Sequence, residues 1–167
     1  TTFASGELVI SISGTTTFVG LVQTSNRNIY ALGSASTVTQ TDSEGGYSCN
    51  YSDNKKFLVK LFENGSIDTT FSNDGYLYLD ELLKDGSTLS MDSGFLSSLS
   101  MLGDGTLMIT TSERDDFDLL FLNQDGSLET KYGNAGSTNL SRSNLRTFES
   151  VQTPSQVVLV GDKSNDS

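Results

Sequence analysis

Histidine and tryptophan are absent from the 167 residues, cysteine and proline occur once each, and positive charge is scarce. Each shortage removes a class of chemistry. Without histidine there is no Ser-His-Asp or Cys-His nucleophile and no zinc site with imidazole ligands. The single cysteine, Cys49, excludes an intrachain disulfide framework but leaves the compartment open. Without tryptophan, one common platform for stacking on sugars is missing. No stretch approaches the roughly 18 consecutive apolar residues of a bilayer span, so membrane insertion is not expected. The opening TTFASGELVI shows neither the basic region nor the cleavage pattern of a secretory signal. Ten Lys and Arg stand against 21 Asp and Glu, a formal net charge of −11. So acidic a chain has little with which to neutralise phosphates, and neither nucleic acid nor an anionic membrane surface is an expected partner. An acidic surface favours solubility and gathers cations.

What is present is a repeat, and repeats are best sought first. A shift of 61 residues lays NGSIDTTFSNDG, from Asn64, on DGSLETKYGNAG, from Asp125. Gly65 falls on Gly126, Asp68 on Glu129, Phe71 on Tyr132 and Gly75 on Gly136. The N-terminal TTFASG resembles TTFSNDG, which places Phe3 on Phe71. A second element recurs three times: VQTSNRNIYALGS from Val22, LSMLGDGTLMITTS from Leu99 and VQTPSQVVLVGDK from Val151. Each reads as a strand, a tight polar turn and a second apolar strand, a hairpin pattern, with Gly in the second turn and Pro154 in the third.

One unit therefore has four short antiparallel strands. Strand A is Phe18–Gln23, Leu96–Leu102 or Phe148–Gln152. Strand B is Asn28–Gly33, Thr106–Thr111 or Gln156–Gly161, and strand C is Phe57–Phe62 or Phe117–Asn123. Strand D is the Asp/Glu-Thr-x-Phe/Tyr segment running on into YLYLD, or into ELVISI at the start of the chain. The expected divisions are approximately 1–17 (the end of a blade), 18–79, 95–140 and 147–167 (an incomplete blade), within a single β domain at 1–167. The runs VVLV, LMI and LVKLF are nearly continuous in apolar residues, which predicts sheets covered on both faces rather than half-buried ones. Stacked four-stranded sheets are the blades of a β-propeller, and the period favours that all-β architecture over a β-sandwich. Three units are too few for a closed ring, so the chain is expected to be a fragment of a longer array.

FENGSIDTTFSNDG, with FLVKL upstream and the VQ hairpin, resembles the bacterial delta-60 repeat family. The likeness covers essentially the whole chain, and the copy at Asp125 departs from it at Glu129, Lys131 and Tyr132. The resemblance implies propeller-like tandem arrays in large secreted or surface proteins, and no shared catalytic activity. In this reading Gly65 and Gly126 supply the positive φ of a tight turn, and Asp68 and Glu129 bond backbone amides at the start of strand D. Phe3, Phe71 and Tyr132 are the aromatics expected between blades.

Two segments interrupt the pattern. Residues 34–56 read as a long B–C loop where the second unit has only SERDD. Insertions of this kind gather on one rim, where partners bind. Residues 80–94 form the other, with DELLK as a short helical turn. Cys49, within the first segment, reads as inert. The acidic turn Glu113–Asp118 reads as solvated; Asp115 and Asp116 are the residues to test for calcium, although no EF-hand or nonapeptide calcium pattern is present. No carboxylate pair is placed for glycoside hydrolysis, and no Gly-rich phosphate loop precedes a helix. The Asn-x-Ser sites at Asn50, Asn64, Asn139 and Asn165 read as turn residues. No catalytic residue, cofactor or metal ligand is assigned, and the chain is not expected to be an enzyme. The expected role is a non-catalytic binding or adhesion module, extracellular or on a bacterial cell surface, with a protein or glycan ligand. The alternative is a structural subunit of a fibre, sheath or appendage, whose partners are other subunits.

Overall fold

The computed structural model describes residues 15–43, 46–82, 95–113, 116–139, 145–152 and 157–163, with side chains at 15–36, 55–82, 95–111 and 118–139. Among the described residues the chain is all-β apart from single turns of helix. Strands β1 (Thr15–Gln23), β2 (Ile29–Ser43), β3 (Gly46–Leu61) and β4 (Tyr76–Tyr78) form one antiparallel sheet in that order. Strands β5 (Phe95–Met101), β6 (Leu107–Glu113), β7 (Asp116–Leu122) and β8 (Ser137–Asn139) form a second with the same order. β9 (Leu145–Gln152) and β10 (Val157–Lys163) pair as a hairpin. The helix α1, Leu79–Leu82, follows β4 and is the helical turn expected in DELLK.

The apolar runs LVKLF and LMI are covered on both faces, as their continuity predicts; the side chains of VVLV lie outside the described residues. Tyr30, Leu32 and Leu58 from one face of the first sheet share a core with Leu107, Ile109, Leu120 and Leu122 of the second. Ile29, Ala31, Phe57, Val59 and Leu61 are buried on the opposite face of the first sheet. Met108, Leu119 and Phe121 are buried on the far face of the second. Every residue of Phe57–Val59 and Leu107–Thr111 is buried. Full burial of one such aliphatic or aromatic side chain contributes about 1.5–3 kcal/mol, so the two strands at the middle of each sheet hold the fold together.

The sheets come closest along their first strands. β1 lies beside β5, and β5 beside β9. A Cβ at Gly20 would stand 2.7 Å from Leu99 Cβ, so only glycine permits this approach of β1 to β5. A bulge recurs at the same place in all three first strands: the register slips at Val19 between Phe18 and Gly20, at Ser97 between Leu96 and Ser98, and at Phe148 opposite Val160 and Gly161. Bulges strengthen the local twist and bend an edge strand.

Two expectations are corrected. Residues 34–56 are not a loop: β2 and β3 continue through them as one long hairpin, paired from Ile29↔Leu61 out to Ser43↔Gly46. Its Thr, Val and Tyr residues are strong strand formers, although the segment as a whole is polar. The Asp/Glu-Thr-x-Phe/Tyr segment is not the start of strand D. It is a compact turn, in which Ile67 and Leu128 make single bridges to Leu61 and Leu122. The strands proper begin only at Tyr76 and Ser137. Ser72, Asn73 and Ala135 have left-handed backbone, which no continuous strand accommodates. The N-terminal copy of the signature and the TPSQ turn lie outside the described residues.

Candidate functional site

The two signature corners hold most of the polar structure. The φ of Gly65 is 84° and that of Gly126 is 91°, the left-handed values the tight turns require. At the first corner the Thr70 amide donates to Asp68 Oδ1 at 3.1 Å, so the carboxylate closes its own turn. Asp68 Oδ2 also accepts from Lys60 Nζ at 2.8 Å, with the side chains only 4 % and 18 % exposed. Lys60, and after it Thr70, hold the Asp68 carboxyl below its usual range. The ammonium further sits over the Phe71 ring, 5.9 Å from its centroid.

Phe71 is buried in the core shared by both sheets, and the turn at Gly126 packs against its ring. Tyr30 meets Phe71 edge-on at 5.8 Å and donates its hydroxyl to Gln124 O of the second sheet's turn at 2.6 Å. Burial first, then the nearby Asp68 and Asp125 charges, push the Tyr30 phenol up to about 12. Gln124 in turn donates Nε2 to Gly105 O at 3.2 Å. The expected inter-sheet aromatic is therefore in place at Phe71. Phe3 lies outside the described residues.

The second corner is wired differently. Glu129 Oε1 accepts from the Lys131 amide at 3.0 Å, the bond expected of it. Lys131 Nζ and the Tyr132 hydroxyl each donate to Asp104 Oδ2 at 2.8 Å. Lys131 first and Tyr132 second hold Asp104 well below the ordinary carboxylate range. Tyr132 stacks on Phe121, at the position that Lys60 holds in the first unit. Sequence reasoning missed both ion pairs. The available signal was Lys60 itself, a single cation in the apolar run FLVKLF.

The outer end of the first hairpin is the other candidate. Seven residue pairs, from Thr37↔Ser52 to Ser43↔Gly46, extend it beyond Ser36, the β2 residue paired with Thr15 at the edge of the described part of β1. At about 3.4 Å per residue this ribbon projects roughly 20 Å. The β2–β3 register shifts at Ser36, between Ala35↔Lys55 and Thr37↔Ser52. The corresponding hairpin of the second sheet ends at Glu113↔Asp116. Cys49 pairs with Gln40 in the ribbon backbone; its side chain lies outside the described residues.

Among the acidic candidates, Asp116 opens β7, while Asp115 lies outside the described residues. Asp118 is buried and accepts from Asn139 Nδ2 at 2.6 Å. Among the described residues no group of three or more His, Cys, Asp or Glu gathers as a metal site, and no helix is long and apolar enough to cross a membrane. Asn64 is the turn residue expected, its Oδ1 accepting from the Ser66 amide at 3.0 Å, whereas Asn139 ends strand β8 instead. Comparison of the chain with protein-family models, with curated proteins and with solved structures gives no match.

Proposed function

We propose that the chain is a non-catalytic binding module of an extracellular or cell-surface bacterial protein, in which the two sheets are successive blades of a propeller-like array of the delta-60 repeat type. In this reading the β2–β3 ribbon contacts a protein or glycan. The blade reading draws on the shared core between the sheets and on the row of first strands β1, β5 and β9. One observation carries the binding reading: the ribbon is built onto only one of two sheets that are otherwise ordered alike. Its sequence, TVTQTDS and GYSCNYS, is rich in Thr, Ser, Tyr and Asn. Such residues provide adaptable hydrogen bonding and amphipathic aromatic contact area at low entropic cost.

The test replaces Thr37–Ser52 by an Asn-Gly turn and measures binding to immobilised bacterial cell-wall glycans, host glycans and extracellular matrix proteins. The reading expects the parent chain to bind at least one of these and the shortened chain to lose that binding with its circular dichroism unchanged. Equal binding by both chains would contradict it.

A further inference from the structure

We infer that Asn64 is a modification site: its side-chain amide is hydrolysed to a carboxylate through attack by the Gly65 backbone nitrogen, and the first corner accepts the resulting aspartate without rearranging.

Asn64–Gly65 is the one Asn-Gly step in the sequence. Asn64 is exposed, in the turn that follows β3. Gly65 has no side chain to shield its nitrogen, and its φ of 84° keeps larger residues out of that position. The chemistry needs only water. The Gly65 nitrogen gives up its proton and bonds to Asn64 Cγ, the Cγ–Nδ2 bond breaks, and ammonia leaves. The product is a cyclic imide. Water opens it at Cγ to give aspartate on an unchanged main chain. Opening at the Asn64 main-chain carbonyl carbon gives isoaspartate instead, with the main chain running through Cβ and Cγ. In either case one ammonia leaves and one water enters, and nothing is oxidised or reduced.

The fold restrains the first step. Gly65 N donates to Phe62 O at 2.9 Å, so the nucleophile is held as a donor. Asn64 Oδ1 accepts from Ser66 N at 3.0 Å and from Ser66 Oγ at 2.7 Å, which fixes the electrophile. Attack requires these bonds to be given up, and each one lost slows the reaction. The conversion is therefore a clock that runs fast while the corner is open and slowly while it is closed.

The second corner shows the form the product takes. Asp125 stands where the first corner has Asn64. Its Oδ1 accepts from Ser127 N at 2.9 Å and from Ser127 Oγ at 2.6 Å. Gly126 N donates to Asn123 O at 3.0 Å, as Gly65 N does to Phe62 O. Asn123 N donates to Ser127 O at 2.8 Å, as Phe62 N does to Ser66 O at 2.9 Å. The same bonds are thus made with a carboxylate in place of the amide. Both bonds at Asn64 are accepted by Oδ1, which aspartate keeps. The Ser127 hydroxyl, and then its amide, hold the Asp125 carboxyl below its usual range. An aspartate in this setting stays ionised, and a carboxylate resists a second attack, so the conversion ends there. Isoaspartate would insert a carbon into the main chain within the turn closed by Phe62 and Ser66, and the match would fail. Conversion places one more negative charge beside Glu63, which already pairs with Arg27 at 2.6 Å.

Peptide mapping by mass spectrometry tests this on the whole chain, incubated at mildly alkaline pH with and without urea. The native sample is followed until a rate about three-hundredfold below that in urea is measurable. Asn64 should convert in both samples, about thirtyfold more slowly in the native one. Asn64→Asp should melt where the parent does, with its circular dichroism unchanged. Asn64 left intact in the native chain within that limit would overturn the inference, as would conversion there as fast as in urea. So would an Asn64→Asp variant that melts well below the parent.

Discussion

Asp68 illustrates how much a single residue can reveal in sequence and how much it conceals. Its recurrence as Glu129, three residues past a turn glycine, announces a side chain that caps its own turn, and both carboxylates do so. Its partner Lys60 was not legible, because a lone lysine in an apolar strand looks the same whether its ammonium escapes to water or meets a buried anion. Lys60→Met should lower stability by about 2–3 kcal/mol in urea unfolding, since it strands a buried carboxylate. Asp68 sits below its ordinary range when folded, so the stability it contributes is present above its unfolded pKa and lost as pH falls through the folded one. Lys60→Met should therefore flatten the acid limb of stability against pH. Tyr30 behaves in the opposite sense. Its phenol is raised from 10.0 to about 12 in the fold, so its contribution is complete below pH 10.0 and disappears as pH climbs through about 12. Tyr30→Phe should cost about 1 kcal/mol at neutral pH and reduce the loss of stability over that alkaline window, read from thermal melts across pH.

At the scale of elements, hairpins were the most legible feature. A turn glycine or proline between two apolar runs has few alternatives to antiparallel pairing, and the A, B and C strands lie where this pattern places them. Two elements escaped for different reasons. The ribbon was hidden by its polarity: Thr37, Thr39 and Thr41 look like loop to a hydropathy reading but favour extended backbone. The signature corner was hidden because Asp68 draws the Thr70 amide out of any ladder and the left-handed Ser72 and Asn73 turn the chain before β4 can begin. The recurrent bulge leaves no residue signal, since Val19, Ser97 and Phe148 share no chemistry. Because the ribbon's backbone pairs lie beyond the described core residues of β2 and β3, replacing Thr37–Ser52 with a two-residue turn should leave the melting temperature within a few degrees of the parent.

For the whole molecule, what matters is that two sheets of like order use opposite faces to make one continuous core. Continuous apolar runs and the repeat period foretold stacked four-stranded sheets, but which side chains meet between the sheets leaves no periodic trace and came only from the structure. Gly20 is where that juxtaposition is tightest, and its lack of a side chain is what β1 and β5 require. Gly20→Val should overpack the contact by about 2 kcal/mol, because the obstruction includes Leu99 backbone. Native-state hydrogen exchange is the most direct measure of the consequence. If the sheets share one core, amides in β2 and β3 and those in β6 and β7 should lose protection together, by about 30-fold. Loss confined to the first sheet, with Leu119–Leu122 protected as in the parent, would contradict the stacked arrangement on which this account of the molecule rests.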